Sequence, residues 1–140
     1  MARWKIKNVG MKGVAMAVPE NVVKTSDFDF FSQEEAEVFD NTVGIRRRHI
    51  APDNMCASDM CQAAAEKLLE ELGWERDSID VLLFESVTGD YRTPPTSCIL
   101  QDRLALSENC FCMDIPMGCC GCMYACLLYT SPSPRDPKTS

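Results

Sequence analysis

The sequence predicts a layered α/β fold, a mixed sheet flanked by helices. Three observations carry that prediction. Helical periodicity over Ser58–Leu72 and Ser97–Leu106 alternates with short continuous apolar runs at Val81-Leu82-Leu83-Phe84 and Cys110–Ile115. Turn residues bound the runs, Asp77-Ser78 before the first and Pro116 with Gly118 after the second. The composition, 46% apolar and 25% charged, is that of an ordinary globular domain, and 140 residues suffice for one domain with a modest core.

Each element has a local justification. Trp4 to Val18 reads as a strand, with apolar Ile6, Val9, Val14, Ala15, Met16, Ala17 and Val18, and with Gly10 and Gly13 as bulge positions. Pro19-Glu20-Asn21 is a turn, and Ser26 or Asp27 is placed to cap a short helical piece. Ser32 with Glu35 three residues on forms a capping-box pattern for a helix to Asn41, which Gly44 ends. Ile45–Ile50 is a short, charged extended segment ahead of Pro52. Ser58–Leu72 is the clearest helix, with Ser58 as cap and Gly73 as stop. Cys61, Ala65, Leu68, Leu69 and Leu72 share its inner face, and Glu66, Lys67, Glu70 and Glu71 its outer one. Val81–Phe84, within Ile79–Val87, reads as a strand buried on both faces. Thr88–Pro95 is a polar loop, Ser97–Leu106 a helix with Cys98, Leu100 and Leu104 inward, and Cys110–Ile115 a second buried strand.

Bulk properties exclude some functions. A net charge of −7 argues against a nucleic-acid surface, which needs a basic patch. No apolar run is long enough to span a bilayer, so no membrane role is expected. Met1-Ala2-Arg3-Trp4-Lys5 is basic but leads into no apolar h-region, so a cytoplasmic location is expected. Nine cysteines (Cys56, Cys61, Cys98, Cys110, Cys112, Cys119, Cys120, Cys122 and Cys126) are an odd number without a secretory signal. Apart from Cys119 they are expected to serve as small buried apolar residues. Their closest spacings, C-x-C and C-C-x-C, are not the paired C-x-x-C units of zinc sites, so neither metal nor resident cofactor is expected.

The chemistry concentrates in Met113–Ala125. A strand ends at Asp114-Ile115, a bend with Pro116 and Gly118 follows, then Cys119 and a small-residue helix start. A thiol at such an elbow meets unpaired N–H groups and the positive end of a helix dipole. Both stabilise a thiolate and the oxyanion formed when it attacks a thioester. Cys120 is the rival at the same elbow. His49, the only histidine, reads as structural, and Arg46-Arg47-Arg48 as a solvated charge run with the option of meeting an acidic partner.

Leu127–Asp136 is the translation of a sequencing-adapter string, and the same string places a cysteine codon just before it. Residues 1–125 are therefore expected to form the domain and 126–140 a non-native tail. Setting the tail aside removes Arg135, Lys138 and Asp136 and leaves the charge strongly negative.

With these landmarks placed, the chain resembles the amino-terminal part of the β-ketoacyl-acyl-carrier-protein synthase III family of thiolase-like condensing enzymes. Val18-Pro19-Glu20-Asn21-Val22-Val23 resembles the family's turn after its first strand, and Val43–Ile50 its Gly-Ile-Arg segment. Ser58-Asp59 opens its first long helix; Asp90-Tyr91 with Pro94, Thr96, Cys98, Gln101 and Leu104 resembles the next segment. Asp114–Gly121 resembles the stretch that holds the catalytic cysteine, and the spacing to Gly121 favours Cys119 over Cys120.

The resemblance implies a thiolase-like fold, seen here as a truncated amino-terminal half, and a homodimer at full length. It implies an acyltransferase of fatty-acid biosynthesis in which Cys119 takes an acyl group from acyl-CoA or acyl-acyl-carrier protein and condenses it with malonyl-acyl-carrier protein. The family's downstream His and Asn find no counterpart before residue 125, so this fragment is expected to be inactive alone. Val38 and Thr42 stand where an aromatic and an Arg often hold coenzyme A, Cys122 where Phe or Trp is usual, and Thr93 near an apolar loop position facing the partner subunit. These departures point to a divergent branch, with an acyl-carrier-protein primer or a specialised pathway. The runner-up readings are another thiolase-fold enzyme acting on CoA thioesters, such as a hydroxymethylglutaryl-CoA synthase-like or polyketide-type enzyme, and a cysteine-rich metal or redox module.

Overall fold

The computed structural model describes residues 9–130. The elements are β1 (Val22–Lys24), a 3₁₀ turn at Thr25–Asp27, α1 (Gln33–Val43), β2 (Arg47–His49), α2 (Ala57–Leu72), a second 3₁₀ turn at Arg76–Ser78, β3 (Val81–Glu85), α3 (Thr96–Arg103), β4 (Phe111–Ile115) and α4 (Gly121–Thr130). The strand pairings fall into two small sheets. β1 and β2 are antiparallel, with Val23 opposite Arg48. β3 and β4 are parallel, in register from Val81↔Phe111 to Glu85↔Ile115, with α3 as their crossover.

Local chemistry sets α1 and its surroundings. Ser32 Oγ accepts from Glu35 N at 3.2 Å and Glu35 accepts from Ser32 N at 2.9 Å, the reciprocal capping box. Gly44 stops the helix at φ +78, a left-handed conformation that glycine adopts without a Cβ penalty. The first 3₁₀ turn is capped from inside: Asp27 accepts from Lys24 N at 2.9 Å. Phe28, Phe30, Phe31 and Phe39 form a chain of tilted rings 4.8 to 5.3 Å apart. Arg48 lies over Phe39 at 5.2 Å and Phe28 at 6.0 Å, and donates to Thr25 Oγ1. It is thus a packed residue, whereas Arg46 and Arg47 are exposed. His49 Nδ1 donates to the Pro19 carbonyl at 2.6 Å, the structural role expected of it.

The core lies under the parallel pair. Phe84, Leu100 and Leu104 are buried, with Ala57, Ala65, Leu82 and Leu106 packed against them. Here α2, β3 and α3 meet, and the small alanines of α2 let α3 approach.

Several elements depart from the sequence reading. Of the strand predicted over Trp4–Val18, residues 4–8 lie outside the described residues and Val9–Val18 form no strand. A strand persists only where a neighbour takes its hydrogen bonds, and no described segment pairs with this one. It approaches α2 instead: a Cβ at Gly13 would lie 2.8 Å from Leu68 Cδ1. Ser58 does not cap α2. Cys56 is the N-cap, its N–H held by Asp59 at 2.8 Å, while Ser58 is fully buried one residue inside the helix. Val81 is 42% exposed, so β3 is buried on both faces only around Phe84. Cys98 is exposed although Leu100 and Leu104 are buried. Residues two apart on a helix point about 200° apart, so Cys98 and Leu100 cannot both face the core. Cys61 is likewise exposed, on the α2 turn between the packed Ala57 and Ala65.

Leu104→Ala is expected to lower unfolding stability by about 2–5 kcal/mol, because it empties a site that is 2% exposed and ringed by Phe84 and Leu100. Denaturant unfolding measures this; a loss below about 1 kcal/mol would show that the site collapses freely.

Candidate active site

The site is built where β4 ends. Asp114, the penultimate residue of β4, turns its carboxylate to the start of α3. Oδ2 accepts from Thr96 N at 2.7 Å and Oδ1 from Ser97 N at 2.8 Å. The residue before α3 is Pro95, whose side chain caps nothing, so the cap comes from 18 residues downstream. The bidentate contact satisfies two orphan helix donors and places negative charge at the positive end of the helix.

A second set of contacts fixes the loop between β3 and α3. Thr96 Oγ1 accepts from Asp90 N at 3.1 Å, and Ser58 Oγ donates to Asp90 Oδ2. Arg103 Nη1 donates to Ser58 Oγ and to Asp59 Oδ1, both at 3.0 Å, tying α3 to α2. Gln101 Nε2 donates to the carbonyls of Ser107 and Cys110, fixing the entry to β4. Asp90, Thr96 and Asp114 thus bind three segments together at fully buried Ser58, Thr96 and Ser97.

After Ile115 the chain turns sharply. Met117 N donates to the Ile115 carbonyl and Gly121 N to the Gly118 carbonyl, both at 2.8 Å. Gly118-Cys119-Cys120-Gly121 is therefore a hydrogen-bonded turn with Cys119 at its second position, exposed. Met123 N and Tyr124 N then take the Cys120 carbonyl as α4 begins. The predicted order of strand, bend, cysteine and helix is present. Cys120 is exposed on the same turn, one residue closer to the helix. α4 continues through Cys126 to Thr130, so the first residues of the segment set aside as tail are helical.

The other cysteines do not follow the buried-residue expectation. Only Cys110 is buried; Cys112 and Cys126 are half-buried, and Cys56, Cys61, Cys98 and Cys122 are exposed. Their helix faces and loops find no cover among the described residues, so a small apolar residue there is not drawn inward. No three His, Cys, Asp or Glu side chains among the described residues come together as a metal-binding group. No described helix is long and apolar enough to cross a membrane. Cys112 is the one strongly perturbed thiol. Burial first, and then neighbouring Cys110, push it from 9.0 up to about 11.

Val38 is exposed and the Thr42 hydroxyl is spent on the Val38 carbonyl at 2.7 Å. Phe31 and Phe39 line the same apolar surface as Val38 and Thr42, so this part of α1 presents rings, with no cation among the lining residues.

Known proteins share this arrangement. No family model matches the chain. The β-ketoacyl-[acyl-carrier-protein] synthase III of Geobacillus kaustophilus is 36% identical over 115 residues, which are 82% of this chain and 37% of that protein. The synthase III of Clostridium perfringens is 34% identical over 120 residues, 86% of this chain and 36% of that protein. The chain belongs to the β-ketoacyl-acyl-carrier-protein synthase III family. The crystal structure of a 3-oxoacyl-(acyl-carrier protein) synthase from Burkholderia xenovorans superposes on 84% of this chain and 34% of its own, with a TM-score of 0.80 and 39% identity. The fold is accordingly thiolase-like. The chain spans just over a third of the length of the curated relatives it matches.

Cys112 carries a prediction with a definite sign. Its thiol keeps its proton to about 11 when folded and to 9.0 ordinarily, so between those values the unfolded chain gives up the proton first. Stability therefore falls as pH rises through that window. Denaturant unfolding at pH 8 and about 10.5 is expected to show a smaller alkaline loss in Cys112→Ala than in the wild type; equal losses would contradict the assignment.

Proposed function

We propose that this chain supplies the acyl-accepting thiol of a 3-oxoacyl-[acyl-carrier-protein] synthase III-type acyltransferase, and that Cys119 is that thiol. The observation that carries the reading is the position of Cys119, exposed on the hydrogen-bonded turn between a parallel strand and the first turn of α4. A thiolate there attacks the carbonyl of an acyl thioester. The new C–S bond to Cys119 forms, the bond to the carrier sulfur breaks, and the carrier leaves as a thiol after taking a proton. Malonyl-acyl-carrier protein then loses carbon dioxide; its carbanion bonds to the acyl carbon and the Cys119 thiolate departs.

The acyl groups arrive on coenzyme A or acyl-carrier protein, and no resident cofactor or metal takes part. The full-length protein acts in the cytoplasm, in fatty-acid synthesis, and pairs as a homodimer. Exposed Arg46 and Arg47 supply positive charge for an acidic carrier. The acidic side chains Glu34 and Glu35 and the lack of a cation beside Val38 and Thr42 support acyl-carrier protein over coenzyme A as primer carrier.

Incubation of the full-length protein with an acyl thioester, followed by tandem mass spectrometry, tests the reading. A single acyl mass on Cys119, abolished in Cys119→Ala and retained in Cys120→Ala, is expected. Acylation spread evenly over the exposed cysteines, or stoichiometric zinc on the purified chain, would contradict it.

A further inference from the structure

Glu85 is the last residue of β3 and lies in register with Ile115, the last residue of β4. Its side chain is folded over Gly121, the first residue of α4. The approach is so close that a Cβ at 121 would overlap Cγ, Cδ and Oε1 of Glu85, and Gly121 is buried beneath it. Gly121 is also the residue whose N–H closes the turn that carries Cys119. A carboxylate therefore lies against the first residue of the helix that directly follows the turn carrying the candidate nucleophile.

No described cation pairs with Glu85. Of the other titratable side chains on β3, β4, α3 and α4, Asp114 has both oxygens on the α3 amides and Arg103 is held by Asp59. The rest with described side chains are the thiols Cys98, Cys112, Cys122 and Cys126, with Asp102 and Tyr124, and none is a cation. The Cys122 thiol is already held above its ordinary range, by Cys126 most of all and by Glu85 in addition. A carboxylate at a helix N-terminus is favourable for the helix and repels a further carboxylate brought in on a substrate, while the backbone N–H groups of the turn stay available to the thiolate and oxyanion.

We propose that Glu85, seated on Gly121, sets the charge selectivity of the elbow, so that Cys119 is loaded with uncharged acyl groups and refuses acyl groups that carry a carboxylate near the thioester. The inference rests on the reading of Cys119 as the acylated thiol. It gives that reaction a property it needs: two thioesters are used, and the dicarboxylic one must not load onto the thiol. Glu85 is thus a specificity residue at the loading step.

Competing alkylation of the full chain by neutral iodoacetamide and anionic iodoacetate tests this, with each rate at Cys119 read by tandem mass spectrometry and normalised to exposed Cys56. The amide-to-acetate ratio at Cys119 is expected to fall about two- to fivefold in Glu85→Gln, at low ionic strength. About 1 M salt should lower the normalised ratio in the wild type by a similar factor, which decides the matter even if the variant fails to fold. A ratio unmoved by the substitution, or by salt in the wild type, overturns the proposal while leaving Cys119 as nucleophile. Failure of both reagents to label Cys119 overturns the nucleophile reading and this proposal with it.

Discussion

Two N–H groups at the start of α3 and one carboxylate near the end of β4 hold the site in place. Asp114 accepts from Thr96 and Ser97 with both oxygens, at 2.7 and 2.8 Å. The contact satisfies donors that Pro95 cannot serve, and it fixes the direction in which the chain leaves the sheet. The next residue, Ile115, is buried, and the Cys119 turn follows after the Pro116-Met117 bend. The carboxylate that caps one helix therefore also sets where the next one starts. Charge-assisted bonds of this kind are worth about 1.5–3 kcal/mol each, more than a neutral cap.

The rest of the polar network serves the same junction. Asp90 receives Ser58 Oγ and gives its N–H to Thr96, while Arg103 reaches across to Ser58 and Asp59. Beneath it, Phe84, Leu100 and Leu104 supply apolar burial that no surface contact could match. Polar residues in the network give direction, and the apolar cluster gives cohesion. Glu85 stands apart from both, because its carboxylate leans on the elbow itself.

Features encoded within a few residues were legible before any coordinates. The α1 capping box, the left-handed Gly44 and Gly73, the positions of the two apolar strands and the elbow are short-range patterns, and each formed where its residues stood, although β3 is buried only at Phe84 and β4 only at Ile115. Features that depend on distant partners were not. The α3 cap comes from Asp114, and nothing around Pro95 announces it, although a helix start led by proline without an acceptor was a clue. Ser58 has the residue type of a cap, yet Cys56 takes that position, its N–H held by Asp59, and Ser58 is buried against Asp90. Cys98 was placed inward although it lies two residues from Leu100, a conflict with helical geometry visible in the spacing alone. The apolar run Val9–Val18 had strand composition but no described neighbour to complete a ladder. Glu85 gave no signal, since its meaning lies in its closeness to Gly121.

Amide hydrogen exchange at Thr96 and Ser97 in Asp114→Ala is the most direct measurement of whether this junction depends on the carboxylate. Protection at both amides is expected to fall by about tenfold or more, with selective labelling of Cys119 lost alongside it. Unchanged protection at Thr96 and Ser97, with Cys119 still labelled first, would contradict the central role of Asp114.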